Sequence, residues 1–433
     1  MQKICANLID LIKNILLDEN FIERYKQKKK DFTRQRSLPF FTVVTFLFNL
    51  LKSSLQNELD RFFQTLSQSD VAERQVTASA FCQARMKLKH EAFIELNHRS
   101  TDYYYEHFLT QTWKGFRLVA VDGSMVQVPK NEATEAHFGA WHPAAGGSCP
   151  MARLSQMFDV LNHVTIDSII SPCEIGEQTL AAQHFDYLAS NDLVLLDRNY
   201  PAFWLFQLMI AKGAHFCARL AVDQWTVVAG NFVATGLNEQ VIEIQPTHEA
   251  KKKCAELELP ISPIKIRLIR VELESGEIEV LATNLFDEEL YPHAIFKELY
   301  HDRWPVEEQY KLLKSRIEIA NFTGKSVEAV KQDFYARVFI ANLTAMLASP
   351  VHEEITEKHK NSKLAYQINW TQALAKMKNS GILLFFREQV MDIIHKLHKL
   401  FLENVCAVRP GRTFPRKKSV KKRAFAFAYK PIS

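Results

Sequence analysis

The sequence predicts an α/β protein, a sheet of buried strands with helices before and after it in the chain. Three observations carry that reading. Residues 1 to about 105 and those beyond Tyr291 place apolar residues at helical spacing. The stretch between them alternates short apolar runs with turn residues, and its elements follow one another as β-β-β-α-β-α. With 433 residues and 47% hydrophobic content, the chain has ample material for a core and for two or three domains.

The opening "MQKICANLIDLIKNILLDENFIERY" mixes charges among apolar residues at helical period and contains no small-residue cleavage site, so it predicts a helix and a chain that stays in the cytoplasm. The apolar run 38–51, "LPFFTVVTFLFNLL", includes two threonines and an asparagine and is too short to span a bilayer; it predicts a buried helix and no membrane partner. In "VTASAFCQARMKLKHEAFIELN" (76–97), Thr77 or Ser79 caps an amphipathic helix. From 116 the texture turns to strands. "FRLVAVDGS" is an apolar run that stops on Asp122, and "ARLSQMFDVLN" and "HVTIDSIIS" are two strands joined by a short Asn-His turn, completing a meander. A helix, "EQTLAAQHFDYLAS", leads to a buried strand, "DLVLLD", that stops on Asp197. "PAFWLFQLMIAKG" is then a helix opened by Pro201 and closed by Gly213.

After "HFCARL", residues 221–285 hold alternating runs such as "WTVVAG", "IKIRLIRVEL" and "IEVLATNLF", which predict a β-rich insertion. Helix resumes near Tyr291 and continues to the chain's basic end. The expected division is a helical N-terminal domain 1–110, a core 111–330 interrupted by the insertion 221–285, a C-terminal helical region 331–408 and a basic tail 409–433.

Seven isolated cysteines with no C-x-x-C pair exclude a zinc ribbon and a disulfide framework and point to free thiols. The net charge of +5 is unevenly spread: residues 24–36 carry seven Lys or Arg against one Asp, and Arg409 to Lys430 carry nine with no acid and with Phe414, Phe425, Phe427 and Tyr429 interleaved. Such runs are either solvated or bind phosphate backbones by counterion release. "TGKS" at 323–326 lacks the first glycine of a P-loop and follows a helix. His395 and His398 lack the partners of a zinc site and are read as solvated.

The chemistry lies in three acids. Singly, Asp122 and Asp197 could cap turns and Glu307 could decorate a surface. Together they offer two strand-end carboxylates and one helical carboxylate, a set of oxygen ligands suited to two Mg²⁺ or Mn²⁺ ions per active site and to in-line phosphoryl transfer. Strand-Asp, strand-Asp, helix-Glu is the order of a ribonuclease H-like catalytic core. Around the third acid, "LYHDRWPVEEQYKLLKSR" spells Tyr300-x2-Arg303-x3-Glu307-x6-Lys314. Glu307 and Lys314 fall about 20° apart on a helix. Pro305 fits a first helical turn, which places Tyr300 and Arg303 on a preceding helix or bend.

With that signature, with "AVDGS", "LLDRNY", "LATNLFD", "SAFCQARMKL" and "GRTFPRKK", the chain resembles the DDE transposases of bacterial insertion sequences, insertion-sequence family 4, over roughly residues 30–425. The resemblance implies that Asp122, Asp197 and Glu307 are the catalytic and metal-binding triad and that Tyr300, Arg303 and Lys314 contact transposon-end DNA. It extends the DNA-binding set to Trp304, Lys311, Arg198, Lys325, Arg416, Lys417 and Lys418, and makes 1–110 a DNA-binding domain. Trp304 either stacks on an unpaired base or is an ordinary core tryptophan. The implied activity is cut-and-paste transposition by metal-dependent cleavage and strand transfer. Its partners would be double-stranded DNA, as terminal inverted repeats and target, with a homodimer forming in the DNA complex at the bacterial nucleoid. The alternatives are a non-cleaving DNA-binding descendant and a ribonuclease H-like structure-specific nuclease. One departure stands out: Asn199 occupies a position where the family carries glycine, and asparagine is the residue next best suited to a left-handed turn. The apolar stretch 381–403 either joins subunits or packs against residues 327–349.

If the tail grips DNA, deleting residues 409–433 weakens end binding. It also lowers the slope of log affinity against log salt by about 0.9 for each phosphate that is no longer neutralised. Titrations of labelled duplex across a salt series measure both, and an unchanged slope means a merely solvated tail.

Overall fold

A computed structural model describes residues 1–34, 37–142 and 147–409, and of Asn379 the backbone. The expectations for Arg416, Lys417, Lys418 and the tail beyond Arg409 lie outside the described residues. The chain divides into two units, one formed by Met1–Thr110, Val126–Ala152 and the chain from Lys311 onward, the other by Gln111–Met125 and Arg153–Tyr310.

The first unit opens with α1 (Gln2–Leu17), which buries Cys5, Leu8, Ile9, Ile12, Ile15 and Leu16 along one face, and α2 (Glu19–Tyr25), whose first turn is capped by the Asp18 side chain accepting from the Asn20 N–H. The apolar run 38–51 forms α3 (Phe40–Leu47), almost wholly buried, and α4 (Leu55–Ser67) follows. The run 76–97 is not one helix. It forms α5 (Ala78–Arg85), capped by Thr77, and α6 (Glu91–His107). The break is stabilised where the Gln332 amide donates to the carbonyls of Arg85 and Leu88 at 3.0 and 2.7 Å, while Leu88 makes a strand-like bridge to Lys26.

β1 (Arg117–Gln127) runs through Asp122 instead of stopping there. It leads into α7 (Glu132–Phe138), started by a capping box between Asn131 and Thr134, and β2 (Ala140–Trp141), which pairs with the start of β3 (Cys149–Asp159). β4 (Val164–Pro172) returns after a turn in which His163 takes φ +58°. Then come α8 (Glu177–His184), β5 (Asp192–Leu196), α9 (Phe203–Ala211) and β6 (His215–Leu220). In the sheet β4 pairs with β3, β3 with β1, and β1, β5 and β6 lie side by side and parallel. A meander continued by parallel strands reached through helical crossovers is the ribonuclease H-like order.

The segment 221–285 extends this sheet. β7 (Glu239–Ile244), β8 (Ile264–Glu272) and β9 (Ile278–Thr283) are antiparallel, with β9 against β6. It also holds helices that the alternation did not reveal. "WTVVAG" is a helical turn in which the Trp225 carbonyl accepts from the N–H groups of Val228 and Ala229, leading into α10 (Asn231–Thr235) with Ala229 and Phe232 buried. Thr247 caps α11 (His248–Glu256). Short apolar runs are where strand and helix are hardest to tell apart by period.

α12 (Phe296–His301) and α13 (Trp304–Ser315) complete the second unit's layers. Phe296, Leu299, Tyr300 and Val306 join Leu118, Ala120, Leu193, Leu195, Cys217 and Leu281 in one buried cluster. These helices therefore cover the sheet face to which alternate residues of β1 and β5 point. Behind α8, the His184 ring bonds Asp167 at 2.6 Å through Nδ1 and the Ser155 hydroxyl at 2.9 Å through Nε2. The trio has the residue types of a hydrolase triad, but Ser155 and His184 are wholly buried. Its effect is to tie α8 to β3 and β4.

The chain returns to the first unit through α14 (Val327–Ala348), α15 (His352–His359), β10 (Tyr366–Ile368), α16 (Trp370–Phe386), α17 (Val390–Glu403) and β11 (Val405–Ala407), which pairs with β10. "TGKS" is the start of α14, with Ser326 accepting from the Ala329 N–H. Together with the helix that follows it, α14 is long and apolar enough to cross a membrane, yet 83% of its most apolar stretch is buried inside the protein, as in a core helix. The stretch 381–403 breaks between Phe386 and Val390, and α16 and α17 pack on each other and on α14. Its apolar face is thus used within the unit. His398 is buried there, against the expectation that it is solvated, and burial lowers its pKa.

α14 also carries buried charge. Arg85 donates to Asp333 at 2.8 Å, to the Thr323 hydroxyl at 2.7 Å and to Gln332 at 2.9 Å. Burial acts to raise the Asp333 pKa, but Arg85, Arg337 and the Thr323 N–H together hold it below the usual range. Asp333→Ala strands two buried guanidinium groups, so the urea-unfolding midpoint should fall by the equivalent of about 3–5 kcal/mol.

Candidate active site

β1 and β5 are parallel and in register from Arg117 opposite Asp192 to Ala120 opposite Leu195. Two residues further on, the same register sets Asp122 beside Asp197. Leu118 and Ala120, like Leu193 and Leu195, face the buried cluster, so both acids stand where that apolar face ends. Asp197 begins a turn in which its side chain accepts from the Asn199 N–H at 2.9 Å and its carbonyl from the Tyr200 N–H at 3.2 Å. Asn199 is not among the residues with positive φ, so this turn makes no demand for glycine and the departure at that position has no conformational cost.

The third acid arrives on α13. α12 ends at His301, and Pro305 occupies the first turn of α13, where its missing N–H costs nothing. Arg303 lies at the bend. Only 6% exposed, it donates from Nη2 to Glu307 Oε1 at 2.7 Å, with its guanidinium 5.8 Å from the ring centres of Tyr300 and Trp304. Its Nε and Nη1 are buried without a partner among the described residues.

The three acids lie within one another's electrostatic reach. Asp122 has its pKa raised to about 7, first by burial and then by the charges of Asp197 and Glu307, with the Gly123 N–H and Arg303 opposing the shift. Burial acts to lower the Arg303 pKa, but Tyr300, Glu307 and Asp122 outweigh it and hold the guanidinium charged. The Tyr300 hydroxyl is pushed up chiefly by burial. Three hard oxygen donors repelling one another at the mouth of an apolar sheet are a donor set that a divalent cation would satisfy, and the chemistry matches Mg²⁺ or Mn²⁺.

The remaining expected residues are distributed unevenly. Trp304 is 42% exposed, which removes the core-tryptophan alternative. Arg198 is exposed on the turn after β5. Lys311 and Lys314 are exposed further along α13, Lys314 two turns beyond Glu307. The boundary between the units follows Tyr310, so both lysines count with the first unit, as does the exposed Lys325. Sequence reasoning missed Tyr310, whose hydroxyl donates to the Asp122 carbonyl at 2.9 Å, Tyr200, which feels the Asp122 charge, and Glu177, which lies against Gly123 and is held by Arg153. Tyr200 stands three residues after Asp197, and Glu177 opens the helix after the meander. Both positions were legible, but no spacing rule marked them.

The model of the family described as "Transposase DDE domain" matches residues 113–343. The chain belongs to the DDE transposase domain family. It is 22% identical over 271 residues to "Transposase InsG for insertion sequence element IS4" of Escherichia coli K12, a match covering 62% of this chain and 60% of that protein. It is 23% identical over 163 residues to "Putative transposase InsZ" of the same organism, covering 36% and 53%. The matches thus span less than two thirds of either relative. Among solved structures, a chain of the piggyBac transposase synaptic complex with hairpin DNA aligns over 95% of this chain and 88% of its own length, with 8% identity and a TM-score of 0.43.

The raised Asp122 pKa has a direction that can be tested. An acid whose folded-state pKa lies above the ordinary 3.8 favours the fold fully below that pH and loses the contribution as pH climbs to about 7. In metal-free buffer at pH 8, Asp122→Asn in this DDE-family protein should therefore melt higher than the parent, by the equivalent of on the order of 3 kcal/mol. Below pH 4 the two should melt together. Calorimetric scans at both pH values measure the difference.

Proposed function

We propose that this chain is a transposase that cleaves DNA at the ends of a mobile element and joins the freed ends to a target. The observation that carries this reading is the convergence of Asp122, Asp197 and Glu307 at the end of an apolar sheet face, with a buried arginine against them, in a chain of the DDE family. A descendant that only bound DNA would gain nothing from half-buried carboxylates set against one another, since their repulsion brings no structural return.

Asp122, Asp197 and Glu307 would hold Mg²⁺ or Mn²⁺, which when bound supplies activation of a water or 3′-hydroxyl and stabilisation of the departing oxygen. The chain's own contributions are separable. The strand register fixes two carboxylates side by side before any ligand arrives, which removes reorganisation from the reacting state. Arg303 spends one nitrogen on Glu307 and keeps Nε and Nη1 for an anion, so a scissile phosphate is the natural acceptor. Trp304, exposed beside that guanidinium, offers a face on which a displaced base can stack. Arg198, Lys311, Lys314 and Lys325 would hold the backbone of double-stranded end DNA. Joining two ends to one target requires two such sites, so the working species would be a homodimer formed on DNA, acting at the bacterial nucleoid.

The test separates binding from chemistry. Asp197→Asn should bind terminal-repeat duplexes as the parent does while Mg²⁺-dependent end cleavage falls by about 10²–10³-fold or more. Gel shifts and strand-cleavage assays on the same duplex report the two quantities, and retained cleavage would remove Asp197 from the reaction.

A further inference from the structure

Beside the three acids lies a fourth. Glu177 is the first residue of α8, and its side chain lies against the bare backbone of Gly123, the residue that follows Asp122. A Cβ on Gly123 would sit 3.0 Å from Glu177 Oε1 and 3.2 Å from its Cγ and Cδ. Glycine at this position is what lets the carboxylate approach the strand beside Asp122. Arg153, on β3, donates from Nη1 to Glu177 Oε1 at 3.0 Å while its Nε and Nη2 donate to the Cys173 carbonyl at 3.3 and 3.1 Å. The carboxylate is thereby fixed through one oxygen. Its side chain remains 30% exposed, unlike a purely internal salt bridge.

Tyr200 supplies a second, independent observation. It is 1% exposed, and its hydroxyl has no hydrogen-bond partner among the described residues. It stands in the combined field of Asp122, Glu177 and Asp197, and the buried Tyr310 hydroxyl feels Asp122 and Glu177 as well. A buried O–H donor left without an acceptor among carboxylates marks a place where an acceptor oxygen is missing. The water shell of a small divalent cation carries such oxygens. Asp122, Glu177 and Asp197 are the carboxylates whose charge acts on the Tyr200 hydroxyl.

We propose that Glu177 is a fourth carboxylate of the site, helping Asp122 and Asp197 to hold a divalent cation directly or through one bound water, with Arg153 as its positioning residue and the Tyr200 hydroxyl left to bond such a water. The inference rests on the metal-dependent reading of the site. Its test is Mn²⁺ binding to the full chain, followed by loss of the free-ion electron paramagnetic resonance signal, with Asp122→Asn as reference and circular dichroism melts to verify folding. Glu177→Gln should weaken Mn²⁺ binding about tenfold or more, and Tyr200→Phe about threefold, in the absence of DNA. Should Glu177→Gln not fold, Glu177→Asp keeps the charge, draws it back by one methylene, and should still bind several-fold more weakly. A parent and a Glu177 variant that bind within twofold of each other, while Asp122→Asn loses binding, would overturn this proposal and leave the three-acid reading intact. A parent that takes up no Mn²⁺ would overturn both.

Discussion

The register of two parallel strands is the constraint on which the site depends. Backbone hydrogen bonds between β1 and β5 fix Ala120 opposite Leu195, and the next residues on the same face are both aspartates. The ladder that forms the middle of the sheet delivers both to the same end of it. The repulsion is therefore built in and is sustained by the apolar residues preceding each acid, which are wholly buried. That burial, more than the neighbouring charges, is what lifts Asp122 so far from its ordinary pKa.

The surrounding structure answers this excess of negative charge on two sides. On one, the bend between α12 and α13 presents Arg303, kept charged by Tyr300, Glu307 and Asp122. Pro305 keeps that bend from becoming a continuous helix, so Arg303 reaches forward to Glu307 one turn later. On the other, Arg153 holds Glu177 against Gly123, and the buried network of Ser155, His184 and Asp167 secures α8, from which Glu177 projects. Each cation meets one carboxylate oxygen, so the acids are restrained but not neutralised.

Much of this was legible in the sequence because the relevant signals are local. An apolar run ending in Asp, a proline at a helix start and acids spaced along a helix can be recognised within ten residues. What failed was either non-local or ambiguous in period. β1 continues past Asp122 because its later residues pair with a strand from elsewhere in the chain, and the break between α5 and α6 is satisfied by Gln332, 244 residues beyond Leu88. "WTVVAG" reads as a strand because Val and Thr favour one, yet burial of Ala229 and, in the helix it leads into, of Phe232 decides for helix. Glu177 escaped notice for the same reason as Gln332: its significance appears only when α8 is laid over Gly123.

The unsatisfied groups give the energetic logic of the site. Arg303 Nε and Nη1 and the Tyr200 hydroxyl are donors that the fold buries without acceptors, and each such atom costs about 1–3 kcal/mol relative to a satisfied one. A chain selected for stability alone would remove them by placing leucine or phenylalanine at these positions, next to a core already rich in both. Their presence beside a cluster of carboxylates means that donors and acceptors stand in the same small volume and still do not satisfy one another. Geometry keeps them apart: Arg303 is tied to Glu307 by a single nitrogen, and Tyr200 is held by the turn after Asp197. A site that carries both an uncompensated negative group and orphaned donors is complementary to a ligand bearing both signs, which is the character of the cation-bound phosphate that the proposed reaction requires.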